Sequence, residues 1–179
     1  MMNMAFMNKL RFTQGKPYTI QGTTDTCTVI TTDRKSFTAW HCQIDRDISA
    51  TVVADPDGNL FIADKCQLQH TKHFTGSIHQ AVLATASRFD TSTRDGNGRP
   101  SGTPEIYLEN MPIHFLPKSS MTYETTPDRN ADITQRKAIT LSSFNVVAAD
   151  LLTIAGDTYK VLGVYHTEYG VDELALVTM

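Results

Sequence analysis

Apolar and polar residues alternate along much of this chain with a period of two, the signature of half-buried strands whose successive side chains point to opposite faces. The alternation is clearest over the last forty residues. Ala138 to Leu141, Leu151 to Ile154, Thr158 to Tyr165 and Glu173 to Val177 read there as strands. The corner Ala155-Gly156-Asp157 joins the second to the third, because glycine accepts the positive φ of a hairpin turn and aspartate tolerates it. Leu152 and Ile154 share a face, Val161 and Gly163 alternate with Leu162 and Val164, and Leu174 and Leu176 share a side. The expected core of this closing meander is Tyr159, Val161, Val164, Leu174 and Leu176. Its last strand is expected to be paired, since an unpaired edge recruits other chains.

Earlier segments carry the same period more faintly. Arg11 to Ile20 and Cys27 to Ile30 read as short strands broken at Gly15-Lys16-Pro17 and Gly22-Thr23-Thr24-Asp25, and Ser36 to Ile44 as another. Ala50 to Ala54 and Leu60 to Ala63, joined by Asp55-Pro56-Asp57-Gly58-Asn59, predict a hairpin. Gln67 to Gly76 is polar and predicts a domain boundary. Ser77 to Arg88 fits either a capped helix or a strand. Asp90 to Pro104 is a long Gly- and Pro-bearing loop, of the kind that is usually functional. Ile106 to Leu108 and Met111 to Pro117 predict an edge or bulged strand, because proline donates no ladder hydrogen bond. Lys118 to Lys137 is a second polar connection, and no repeat of fixed period is visible.

Composition narrows the class. The 179 residues, 40% hydrophobic and 20% charged, suit one ordinary soluble domain or two small ones. No apolar run approaches the roughly 18 residues of a membrane span. Met1 to Met7 is apolar but short and lacks a cleavage site, so a cytoplasmic start is expected. A formal charge of -3 argues against a protein that works by gripping phosphates, though local contact with DNA remains compatible. The 3 cysteines, Cys27, Cys42 and Cys66, are widely spaced and predict buried free thiols.

No constellation carries a chemical signature. Cys66, His70 and His73, with Cys42 and His79, have zinc-binding side chains but lack paired ligand spacing. Asp55 to Asn59 has the wrong acidic spacing for a calcium loop, and Gly96-Asn97-Gly98 lacks the Lys-Ser/Thr of a phosphate loop. Neither His166 with Glu168 nor His41 with Cys42 and Asp45 assembles a nucleophile, a base and an orienting group. No enzymatic activity and no cofactor or metal are expected.

From Ser77 onward the order of features resembles the phage head-tail joining family, also called head-closure, stopper or head-completion proteins. The resemblance is carried by Ala81 to Thr93, Gly96 to Gly102, Met111 to Pro117, Thr134-Gln135-Arg136-Lys137-Ala138-Ile139-Thr140, Gly156-Asp157-Thr158-Tyr159-Lys160-Val161-Leu162-Gly163-Val164 and Glu173 to Val177. It covers a little over half the chain and favours a strand over Gln80 to Thr93. It implies a small antiparallel β-barrel that assembles as a ring, hexameric or dodecameric, in the virion neck. Its neighbours would be portal and adaptor proteins on the head side and a tail terminator or tail tube on the other, with transient contact to packaged DNA and no membrane. Such a protein is made in the host cytoplasm, seals the DNA-filled capsid and docks the tail. The rival readings are another ring-forming virion part, a tail terminator or baseplate protein, or a β-barrel ligand-binding module or hydrolase.

The expectation is therefore an all-β chain, with a β-rich N-terminal segment over 1–74 and a small barrel over 75–179. Its interface or channel residues lie in two polar loops: Arg94, Asp95 and Arg99 in one, and Tyr123, Glu124, Asp128, Arg129, Asp132, Arg136 and Lys137 in the other. Opposite charges on one loop can pair with a neighbouring copy in a ring.

Overall fold

The described residues form thirteen strands, β1 (Lys16–Ile20), β2 (Thr26–Ser36), β3 (Ala39–Ile44), β4 (Thr51–Ala54), β5 (Leu60–Ala63), β6 (Gln67–Gln69), β7 (His73–Gln80), β8 (Val82–Arg88), β9 (Glu105–Phe115), β10 (Gln135–Leu141), β11 (Leu151–Ile154), β12 (Asp157–His166) and β13 (Val171–Thr178). A short 3-10 turn, Ser142–Phe144, interrupts them. The structure is a computed structural model; it describes residues 15–36, 39–69, 73–90, 92, 94–98, 102–117 and 135–179, and side chains within these except over 32–41 and at 135. The chain divides into two compact units. The first runs to Ala81 and includes Glu168–Val171, and the second comprises Val82–Thr167 and Asp172–Met179.

In the first unit the strands pair in the order β3-β2-β1-β4-β5-β7, and pairing of β3 with β7 closes the ring, with β6 added beside β7. Alternate side chains fill the centre: Val29, Ile44, Val53, Phe61 and Ile78 are buried, and the Tyr18 and Phe61 rings meet edge to face at 5.7 Å. The β4–β5 hairpin forms as its turn residues demand. Asp55 Oδ1 accepts from the Asp57 and Asn59 amides, and Gly58 takes φ 84°. Gln67 to Gly76, which reads as a polar linker, supplies β6 and the first half of β7. Its polar side chains conceal the strand because neither β6 nor the start of β7 is fully buried. The continuous first part of this unit runs to Ala81.

The second unit is a closed barrel, β10-β13-β12-β11-β8-β9, with every pairing of known register antiparallel. Its centre holds Met111, Ile113, Leu152, Val161, Leu174 and Leu176, all at 0% exposure. Fully burying a side chain of this size contributes about 1.5 to 3 kcal/mol, so these residues set the stability of the unit. Tyr159 is buried as expected, and Val164 packs against the core. Strict alternation would put Val161 and Val164 on opposite faces. A bulge between Val161 and Gly163 inserts Leu162, which is 43% exposed, and thereby turns both valines inward opposite Leu176 and Leu174. Met111-Pro112-Ile113 lies in a bulged strand, as its proline predicts: register shifts precede it, and Asn110 takes φ 56°. Ser77 to Arg88 is neither helix nor one strand; it ends β7 and forms β8, which belong to different units.

The two rings share one topology. Numbering each barrel's ring strands one to six in chain order (β1, β2, β3, β4, β5, β7, then β8 to β13), both close in the order 1-2-3-6-5-4.

Candidate functional site

Strand register fixes where the two polar excursions leave the second barrel. Arg88 pairs with Glu105 at one end, so the 89–104 connection departs there, beside the start of β11 at Leu151, which faces Ser87. At the other end Phe115 pairs with Ala138 and Val82 with Ile113, and there the connection between β9 and β10 departs. The eleven residues of β9 separate these points by roughly 30 Å at about 3.3 Å per residue. The excursions singled out in the sequence therefore spring from opposite ends of one barrel.

At the first end, Arg94 and Asp95 lie in a tight turn. The Arg94 guanidinium donates to the Gly98 carbonyl at 2.7 Å, the Asn97 amide donates to Asp95 Oδ1, and the Gly98 amide donates to the Asp95 carbonyl. Both residues are exposed. Asp90 caps the start of the same excursion by accepting from the Ser92 amide and hydroxyl, which hold its carboxyl below the ordinary value. Arg99 lies outside the described residues.

At the same end of the barrel, where the excursion leaves β8, sits an ionic cluster that sequence reasoning missed. Asp150, at 0% exposure, accepts two hydrogen bonds from Arg88, at 2.6 and 2.8 Å, one from the Tyr107 hydroxyl at 2.8 Å and one from the Val147 amide at 2.8 Å. Arg88 also donates to the Asn145 carbonyl and lies 4.6 Å above the Tyr107 ring. Burial raises the Asp150 carboxyl, but the hydrogen bonds from Arg88, Val147 and Tyr107 outweigh it and leave the group below its ordinary value. Burial, then the bond to Asp150, pushes the Tyr107 hydroxyl up to about 12, and the same carboxylate raises Arg88. The cluster ties β8, β9 and the segment before β11 together where the exposed excursion begins.

A second buried carboxylate stands at this end. Asp172 Oδ1 accepts from the Ser142 hydroxyl at 2.5 Å and lies 2.9 Å from His166 Nδ1. Asp172 is 1% exposed, whereas the His166 side chain is 74% exposed. His166 is thus oriented by Asp172. Ser142, Asn145, Val146, Val147, Ala148, Val164 and His166 line a shallow cleft of about 420 Å³. Ser142 and His166 both meet one carboxylate oxygen, so the serine is not a nucleophile activated by the histidine.

At the opposite end, Arg136 and Lys137 belong to β10 and are engaged within the barrel. The Arg136 guanidinium lies 5.6 Å from the Phe115 ring centroid and 5.8 Å from that of Tyr159, and donates to the Tyr159 hydroxyl at 3.4 Å. Lys137 pairs with Glu173 at 2.5 Å, which raises the lysine above its ordinary value. Tyr123, Glu124, Asp128, Arg129 and Asp132 lie outside the described residues.

In the first unit, burial lifts all three thiols. Cys42 is pushed up to about 12 and Cys27 to about 11, and Cys42 donates to the Gly76 carbonyl at 3.4 Å. Asp64 and Lys65 line a cleft of about 360 Å³ beside Cys42, and the Lys65 ammonium lies 4.1 Å from the Tyr169 ring centroid. No group of three or more His, Cys, Asp and Glu among the described residues is arranged to hold a metal ion. His70, the middle residue of the zinc-like set, lies outside them.

Phase is the signal that could have found the buried ion cluster. Arg88 is in register with inward Ala84 and Ala86, Asp150 with Leu152 and Ile154, and Asp172 with Leu174 and Leu176. A charge in phase with a core face must be paired or neutralised. Comparison with protein-family models, with curated proteins and with solved structures returned no match.

Proposed function

We propose that this chain is a ring-forming structural protein of a tailed-phage neck, a head-closure component that seals the DNA-filled capsid and docks the tail. The observation that carries the reading is the bipolar second barrel. A closed barrel spans the stretch that resembles the head-tail joining family, and its two long polar excursions leave from opposite ends. A connector must present different surfaces to portal and adaptor on one side and to the tail terminator or tail tube on the other. Excursions roughly 30 Å apart on one rigid barrel meet that requirement. The ion cluster of Arg88, Tyr107 and Asp150 gives the first excursion a fixed base, and Arg136 between Phe115 and Tyr159 does the same at the second. The role is assembly, in the virion, with no covalent step.

Mixing the purified full chain with portal and adaptor complex, and measuring the mass of the product, tests this reading. A closed ring at the end of the portal complex is the expected result; a monomer at every concentration, with or without that complex, contradicts it. Charge reversal at Arg129 probes the second excursion better than reversal at Arg136, whose packing on two aromatic rings makes its loss a folding defect as well.

A further inference from the structure

We infer that the first barrel is a ring-forming unit equivalent to the second, so that each chain fills two positions of its ring and its lateral partner is a second copy of this chain. This rests on the neck reading and extends it to residues 16–80, to which the family resemblance assigns nothing.

Three coincidences at matching places carry the inference. First, six antiparallel strands can close in many orders, yet both barrels close as 1-2-3-6-5-4. Second, the connection between third and fourth strands drops one aliphatic side chain into each barrel, Ile48 at 1% exposure and Val146 at 2%. An alanine in the left-handed region follows each, Ala50 at φ 52° and Ala149 at φ 76°. That conformation is unfavourable for an alanine, so its recurrence just before the fourth strand marks a shared path of the backbone. Third, the fourth strand is 4 residues long in both barrels, and the hairpin to the fifth turns on a glycine of positive φ, Gly58 at 84° and Gly156 at 93°.

The barrels differ where the second carries its excursions. Gln21 to Asp25 connects the first barrel's opening strands, against 89–104 in the second; the next connection is 37–38, against 116–134. The first barrel thus keeps the ring scaffold and omits both long connections. A ring contact is heterologous, one surface meeting a different surface of the next unit, and two barrels of the same topology can supply equivalent pairs of surfaces. A ring built this way contains half as many chains as barrels, and each excursion recurs at every second position. The hexamer or dodecamer implied by the resemblance is then a count of barrels, reached with three or six chains.

The test compares two counts on the ring formed by the full chain. Native mass measurement gives the number of chains, and top views in electron microscopy give the number of equal-sized lobes at a common radius. Two lobes per chain is the expected result. One lobe per chain, with the remaining mass above, below or outside the ring, overturns the equivalence of the barrels and leaves the neck reading standing. Failure to form any ring, alone or with portal and adaptor complex, overturns the neck reading and this inference with it.

Discussion

At the residue scale, the second barrel depends on charges that lie on its core faces. Asp150 is fully buried and takes four hydrogen bonds. Removing one partner of a buried pair leaves the other uncompensated and costs about 3 to 5 kcal/mol when both are buried. Arg88 is 42% exposed, so the lower end applies. Asp150→Asn should lose about 3 kcal/mol in urea unfolding. The pH dependence follows from the depressed carboxyl. Its contribution is fully present above the unfolded value of about 3.9 and is lost as pH falls through the lower folded value. The stability gap between wild type and Asp150→Asn should hold steady from pH 7 to about 5 and close below about 4; a gap that widened in acid would refute the assignment. Ser142→Ala should cost about 1 kcal/mol, because buried Asp172 loses a donor. His166→Ala should cost less, since that side chain is mostly in water. The sequence contained the phase that places Arg88, Asp150 and Asp172 inward. It did not contain their pairing, because Arg88 and Asp150 meet only when β8 and β11 are adjacent, which local periodicity does not specify.

At the element scale, the strands of the closing meander and the Asp55 to Asn59 turn were legible because each combines a period of two with a residue suited to its corner. Two features were not. The bulge at Leu162 leaves no mark in composition, yet it decides that Val161 and Val164 share a face. β6 and the first half of β7 are mostly polar and nowhere fully buried, so burial, the signal that periodicity reports, is weak there. The left-handed alanines give a test of backbone path. Ala149 is exposed, and its amide donates to the Val161 carbonyl at 2.8 Å, a bond that glycine preserves. Ala149→Gly should therefore raise stability by about 0.5 to 1 kcal/mol, the relief of positive φ exceeding the added freedom of the unfolded chain. An unchanged or lowered urea midpoint would argue against this backbone conformation.

At the scale of the whole molecule, the all-β class was readable from the chain, whereas the closure of the first half into a barrel was not. Its six ring strands are separated by connections of varied length and share no sequence period with β8 to β13, so the common 1-2-3-6-5-4 order emerges only from pairing. Topology also changes the meaning of the two excursions. In sequence they are successive polar loops; on the barrel they are opposite poles. Under the proposed neck role, Arg129→Glu should leave the mass of the assembly unchanged while reducing its capture by one neighbouring component, which a pull-down against portal-adaptor and tail complexes would resolve. The most direct measurement of the central claim is DNA retention. DNA-filled heads carrying portal and adaptor, but lacking this chain, are titrated with it, and the nuclease-protected DNA is quantified. Protection that rises and saturates at one ring per head is the predicted result, and protection that stays at the starting level at every concentration would contradict the account.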